Sequence, residues 1–187
     1  MSLRHHLRDA TQPLHARLDQ LLAAHAFDSS ASYSHFLKAQ AAALIPLELA
    51  LEAAGIEDEL PDWPVRRRRE ALLGDLYTLD AALPALMPQP ALAPDQSRWG
   101  ALYVLEGSRL GAAVLLRRLQ TVADGRMQTA SRYLSHGAGS SLWPDFVRQL
   151  ESLSPVQTND VVAGAQHAFR VFIAAAQRYP VSAQVPD

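Results

Sequence analysis

The 187 residues are enough for one domain able to bury roughly two-thirds of the surface its unfolded chain exposes. With 49% hydrophobic and 19% charged residues the composition excludes a disordered chain, and a formal net charge of −2 excludes a general attraction to nucleic acid or an anionic membrane. Cysteine is absent, which removes disulfides, thiolate nucleophiles and thiolate-held metal centres and leaves histidine as the soft metal ligand.

The amino terminus, Met-Ser-Leu-Arg-His-His-Leu-Arg, is basic but lacks an apolar signal core, and no run of about eighteen apolar residues follows. The expectation is a cytoplasmic protein with neither membrane nor nucleic acid as partner. Leu14, Leu18, Leu21 and Leu22 recur at helical spacing, with Thr11 as N-cap and Pro13 in the first turn. A second helix is expected from Ser32 to Ala54, kinked at Pro46 and ended by Gly55.

Asp62 and Pro64 open a third helix. Its four arginines, Arg66 to Arg69, read as a solvated surface that an acidic redox partner could touch, and Leu72, Leu73, Leu76 and Leu79 form its buried stripe. Pro84, Pro88, Pro90 and Pro94 mark an extended connection between two helical halves. The longest helix is expected from Asp95 to Ala123, with Gly125 as its stop, followed by a loose stretch over 137–141 and a short helix from Trp143 to Leu153. A last helix over Thr158 to Tyr179 is capped by Thr158 or Asn159. With no convincing strand, the fold class is all-α, a single-domain bundle of six or so helices over 1–187, with a core of about 3–180 and a tail at 181–187.

Two places could carry chemistry. His15 lies one turn into an amphipathic helix beside Leu14 and Leu18. It reads either as a satisfied core or surface histidine, or as a metal ligand whose second ring nitrogen is oriented by a nearby acceptor. Gly107 and Gly111 sit four apart inside a strong helix former, next to Ser108 and Ala112, at a cost of about 1 kcal/mol each relative to alanine. Such a bare face serves a tight helix crossing or a flat ligand lying on the backbone. Glu106, beside these glycines, needs a partner if buried, which favours a structural hydrogen-bonding role. Glu-x-x-His, His-Glu-x-x-His, Gly-x-Ser-x-Gly, P-loop and dinucleotide patterns are absent from the sequence.

The segment from Leu7 to Asp19, Leu-Arg-Asp-Ala-Thr-Gln-Pro-Leu-His-Ala-Arg-Leu-Asp, resembles the proximal-helix motif of bacterial heme oxygenases. Tyr103 to Gly111, Tyr-Val-Leu-Glu-Gly-Ser-Arg-Leu-Gly, resembles their distal-helix motif. The resemblance is strongest to the group found with bacterial phytochromes and extends loosely from Leu3 to Tyr179. It implies a helical heme oxygenase fold and oxidative opening of heme, at once cofactor and substrate, to biliverdin, carbon monoxide and ferrous iron. O₂ and electrons come from outside, from a reductase, a ferredoxin or another donor, and a bacterial phytochrome is an acceptor for biliverdin.

Carried over by position, His15 is the axial iron ligand, and Gly107, Ser108 and Gly111 form the catalytic distal face. Arg8 and Tyr103 are the partners for the heme propionates, and Thr11 is a further heme contact; Arg148, from the short helix and without a motif, and Phe169, an aromatic that reads either as heme edge or as plain core, complete the expected set. Ser108 stands where the animal-type pattern has an aspartate that organises water, and Ala112 replaces a further glycine. A heme carrier of the same fold without turnover, and a helical interaction module, are the competing readings.

Overall fold

The computed structural model describes residues 2–23, 27–92, 97–153 and 158–180. Ten helices occur among them: α1 Leu3–Ala23, α2 Ser30–Ala53, α3 Ile56–Glu59, α4 Trp63–Arg66, α5 Arg69–Thr78, α6 Ser97–Leu119, α7 Gly125–Thr129, α8 Arg132–Ser135, α9 Leu142–Glu151 and α10 Thr158–Arg178. Six have ten residues or more, and the four short ones occupy turns between them. Expectations for Asp95, Pro94 and the tail 181–187 fall outside the described residues.

α2 is buried on nearly every face, which fits its alanine-rich sequence and makes it the central strut of the core. Ser29 caps it, accepting from the Ser32 N–H at 3.1 Å, and Gly55, at φ 76°, follows its end. α10 packs on α1, α2 and α6. Its crossing with α6 is made at a glycine pair that sequence reading did not single out. A β-carbon at Gly100 would stand 1.9 Å from the Val161 carbonyl oxygen, and one at Gly164 would stand 1.9 Å from that of Ser97. Backbone therefore meets backbone at this crossing, and only glycine fits on either side.

Several expected boundaries move, each for a tertiary reason. α1 begins at Leu3 rather than after Thr11, because Leu3 and Leu7 continue its apolar stripe and its first N–H groups find an acceptor on another helix. Thr11 is thus an interior residue whose hydroxyl donates to Leu7 O at 2.7 Å, and Pro13 lies within the helix. Gly125 does not end the long helix: α6 stops at Leu119, and Asp124 caps α7 by accepting from the N–H groups of Arg126 and Met127.

Three helices receive their N-terminal caps from far away in the chain. The Glu151 carboxylate of α9 accepts from the N–H groups of Leu3 and Arg4 on α1. Glu48 of α2 accepts from Arg68 and Arg69 at the start of α5, and Asp75 of α5 accepts from Arg132 and Tyr133 at the start of α8. Each carboxylate satisfies N–H groups that a helix start leaves without partners, and each sits at the positive end of the helix dipole. Burial pushes the Glu48 carboxyl up to about 7 despite those bonds.

The arginine run overturns its expected role. Arg66 and Arg68 are only 1% and 2% exposed. The chain leaves helical geometry at Arg67, whose ψ is 144°, so Arg66 at the end of α4 and Arg68 at the start of α5 both turn inward. Arg66 donates to Glu106 and to Leu142 O, and Arg68 to Leu105 O and Ser108 Oγ. Glu106 is fully buried and is also held by Arg109 through two bonds, so its structural role is the one its neighbours demand. These side chains bind helices together and leave little for a redox partner to touch.

Candidate functional site

A cavity of about 920 Å³ opens between α1 and α6 and is closed at its ends by α2, α8, α9 and α10. His15 and Thr11 line it from α1, and Gly107, Ser108 and Gly111 line it from α6. Tyr103 and Phe169 stand at its walls, and Arg8 at the amino-terminal corner. Eight of the nine side chains expected to form a site thus converge on one space. Arg148 is the exception: it lies on the exposed side of α9 in an ion pair with Asp145 at 2.6 Å and does not reach the cavity. Its helix presents Trp143 to the cavity instead.

His15 keeps 61% of its side chain exposed, because it borders open space rather than core. Its ring centroid lies 5.6 Å from that of the buried Phe169, which supports one side of the imidazole. Asp19, one turn further along α1, places Oδ2 3.8 Å from His15 Nε2. A carboxylate in that position can hold a ring N–H and so fix the orientation of a ligating imidazole. The i,i+4 spacing of His15 and Asp19 was the sequence signal for this pair.

Opposite, the two distal glycines do different things. A β-carbon at Gly111 would meet nothing within 4 Å, so bare backbone faces the cavity there. At Gly107 it would touch the edge of Trp143 at 3.7 Å, an ordinary contact. Neither glycine meets the backbone of another helix, as Gly100 and Gly164 do. Leu110 and Val114, 56% and 57% exposed, extend the apolar lip of the same face. A flat, largely apolar ligand held from α1 by one nitrogen fits this space, and heme answers that description.

Ser108 is locked: its hydroxyl donates to Leu105 O at 2.7 Å and accepts from Arg68 Nη2 at 2.8 Å. The Arg68 guanidinium also lies 5.1 Å from the Tyr133 ring centre, and the Tyr133 hydroxyl donates to Gln40 Oε1 at 2.9 Å. Gln40 and Tyr133 supply the polar surface at the inner end of the cavity. They and Arg68 carry no local motif, and only the packing of α2, α5 and α8 against α6 brings them there. Arg109, between the two glycines, ties α6 to the loop before α9 through His136 Nδ1 at 3.1 Å. Burial lowers the His136 pKa, and the Arg109 charge lowers it further; because a guanidinium can only donate, Nδ1 is the acceptor in this pair.

No family model matches the chain. A heme oxygenase of Xanthomonas campestris pv. campestris (strain 8004) is 35% identical over 130 residues, covering 64% of this chain and 78% of that protein. The heme oxygenase of Neisseria meningitidis, solved with NO and CO bound, matches with a TM-score of 0.83 over 100% of this chain and 98% of that one, at 24% identity. The structural match shows that the helical fold is shared. The sequence relationship, which takes in most of the Xanthomonas protein, establishes that the chain belongs to the heme oxygenase family.

Proposed function

We propose that this protein opens heme oxidatively to biliverdin, carbon monoxide and ferrous iron, with the cavity between α1 and α6 as the site of reaction. The observation that carries the reading is the facing of His15 on α1 by the bare Gly111 backbone on α6 across an apolar cavity. Membership of an oxygenase family favours turnover over a role as a heme carrier.

Heme itself supplies the iron at which O₂ reacts; the chain binds it, orients it and excludes water around it. His15 would offer one imidazole nitrogen to the iron, and the Asp19 carboxylate, with Oδ2 3.8 Å from Nε2, stands where it can accept from the N–H of the other ring nitrogen. Neutral histidine does not drive O–O cleavage as a thiolate would, which suits a reaction in which oxygen must attack the ring. On the distal side Gly111 lets the ligand approach the backbone, while Ser108, its proton committed to Leu105 O, shapes the wall and does not act as a free acid. Arg8 and Tyr103 meet the propionates, and Phe169 supports the imidazole and the heme edge. Electrons are drawn from a separate reductase or ferredoxin, and a bacterial phytochrome is the acceptor in the group that the two motifs resemble.

Turnover is tested by adding ascorbate or a ferredoxin and its reductase, under O₂, to the hemin-loaded protein. Replacement of the Soret band by biliverdin absorption, with release of carbon monoxide, is expected; a persistent heme spectrum would refute the oxygenase reading. Gly111→Leu puts a branched side chain where the structure has open space, and is expected to weaken hemin binding by on the order of tenfold or more. Unchanged affinity in a Soret titration would place Gly111 away from the heme face.

A further inference from the structure

The corner of the cavity where α1 begins holds more positive charge than the single arginine expected there. Arg4 lines the cavity together with Arg8, one helical turn further along α1. Arg8 shares its charge with Asp9, whose Oδ1 lies 3.6 Å from Arg8 Nε. Both guanidinium groups act on Tyr103 across the cavity. Burial raises the pKa of that phenol, and Arg4, ahead of Arg8, pulls it back down.

The backbone beneath Arg4 is fixed from outside α1. Glu151 Oε1 accepts from the Arg4 N–H at 2.9 Å, and Oε2 from the Leu3 N–H at 3.0 Å. Glu151 is the last residue of α9, so a carboxylate and the negative end of one helix meet the positive end of another. The same helix carries Trp143, which lies against Gly107 and 6.1 Å, ring centre to ring centre, from Tyr103. α9 therefore braces both walls of this corner.

We propose that Arg4 is a second carboxylate-binding guanidinium of the cavity, beside Arg8, and that Glu151 is the positioning residue that holds it there by clamping the first turn of α1. The inference rests on heme as the ligand: two propionates present two anionic groups, and two arginines one turn apart match them better than one that is already shared with Asp9. Without Glu151 the first turn of α1 loses two N–H acceptors, and Arg4 is the cavity residue nearest the frayed end. His15, eleven residues further along and supported by α10 through Phe169, is untouched by that fraying.

The test compares hemin with iron protoporphyrin IX dimethyl ester, which lacks the carboxylate charges, by Soret titration of the full chain. The intact protein is expected to prefer hemin, and Arg4→Gln to reduce that preference about fivefold to tenfold with ester binding unchanged. Glu151→Ala should reduce it similarly, Glu151→Gln should keep most of it through its remaining carbonyl acceptor, and the Arg4→Gln/Glu151→Ala pair should be no worse than Arg4→Gln alone. A preference untouched by Arg4→Gln, or a Glu151→Ala variant that binds both porphyrins equally less well, overturns the proposal. Equal binding of both porphyrins to the intact chain also overturns it, while a Soret band dependent on His15 leaves the heme reading standing; loss of that band removes both.

Discussion

Gly100→Ala is expected to destabilise the protein by about 3 kcal/mol or more, because its β-carbon has nowhere to go. The atoms it would meet are backbone, the Val161 carbonyl at 1.9 Å and the Ala165 nitrogen at 2.5 Å, and neither can rotate aside as a side chain would. α6 and α10 would have to separate, and the apolar contacts on both sides of the crossing would open with them. For a chain of this length the change corresponds to a fall in Tm of roughly 6–12 °C, read by thermal unfolding in circular dichroism. Gly111→Ala is the control on the same helix: with open space around it, the substitution removes glycine's backbone entropy and should raise Tm slightly. Equal Tm values for Gly100→Ala and the native chain would contradict the crossing.

His15→Ala carries the largest expected functional effect. The cavity remains, with its apolar walls and its arginines, so porphyrin can still enter, but among the described residues the only other histidine lining it is His5, two to three helical turns back along α1. Even loss of a group that merely orients a metal ligand costs ten- to a hundredfold in affinity; loss of the ligand itself should lower hemin affinity by more than about a hundredfold and abolish formation of biliverdin. Thermal stability of the ligand-free chain should barely change, since the side chain is largely exposed and its contact with Asp19, at 3.8 Å, is a surface one. A Soret spectrum identical to that of the native protein would move the iron ligand elsewhere, and His5, which also lines the cavity, would be the next residue to replace.

The helical class, the six longer helices and the pairing of His15 with the Gly107 and Gly111 face were legible in the sequence, because periodicity and glycine placement are local signals. The two glycine pairs show where that legibility ends. Gly107/Gly111 and Gly100/Gly164 are all small residues in helices, and spacing alone could not say which lay at a backbone crossing and which lined a cavity. The arginine run failed for a related reason: charge predicts exposure until a break in the helix and buried acceptors, Glu106 for Arg66 and Leu105 O and Ser108 Oγ for Arg68, offer partners inside. Asp19 was within reach, one turn from His15. Gln40, Tyr133 and Arg68 were not, since their relation to Ser108 exists only after four helices have docked.

The three borrowed caps have a kinetic consequence. A helix capped by its own preceding serine, as α2 is by Ser29, can begin to form before anything else has folded. α1, α5 and α8 leave their first N–H groups to water until α9, α2 and α5 arrive, across sequence separations of 148, 20 and 57 residues. Their first turns therefore gain full stability late, each when the helix that carries its carboxylate docks. α1 has its amino-terminal turn set only when α9 docks, and the cavity it lines is completed later still by Phe169 and Phe172 of α10, so its walls come together only after most of the chain has been made.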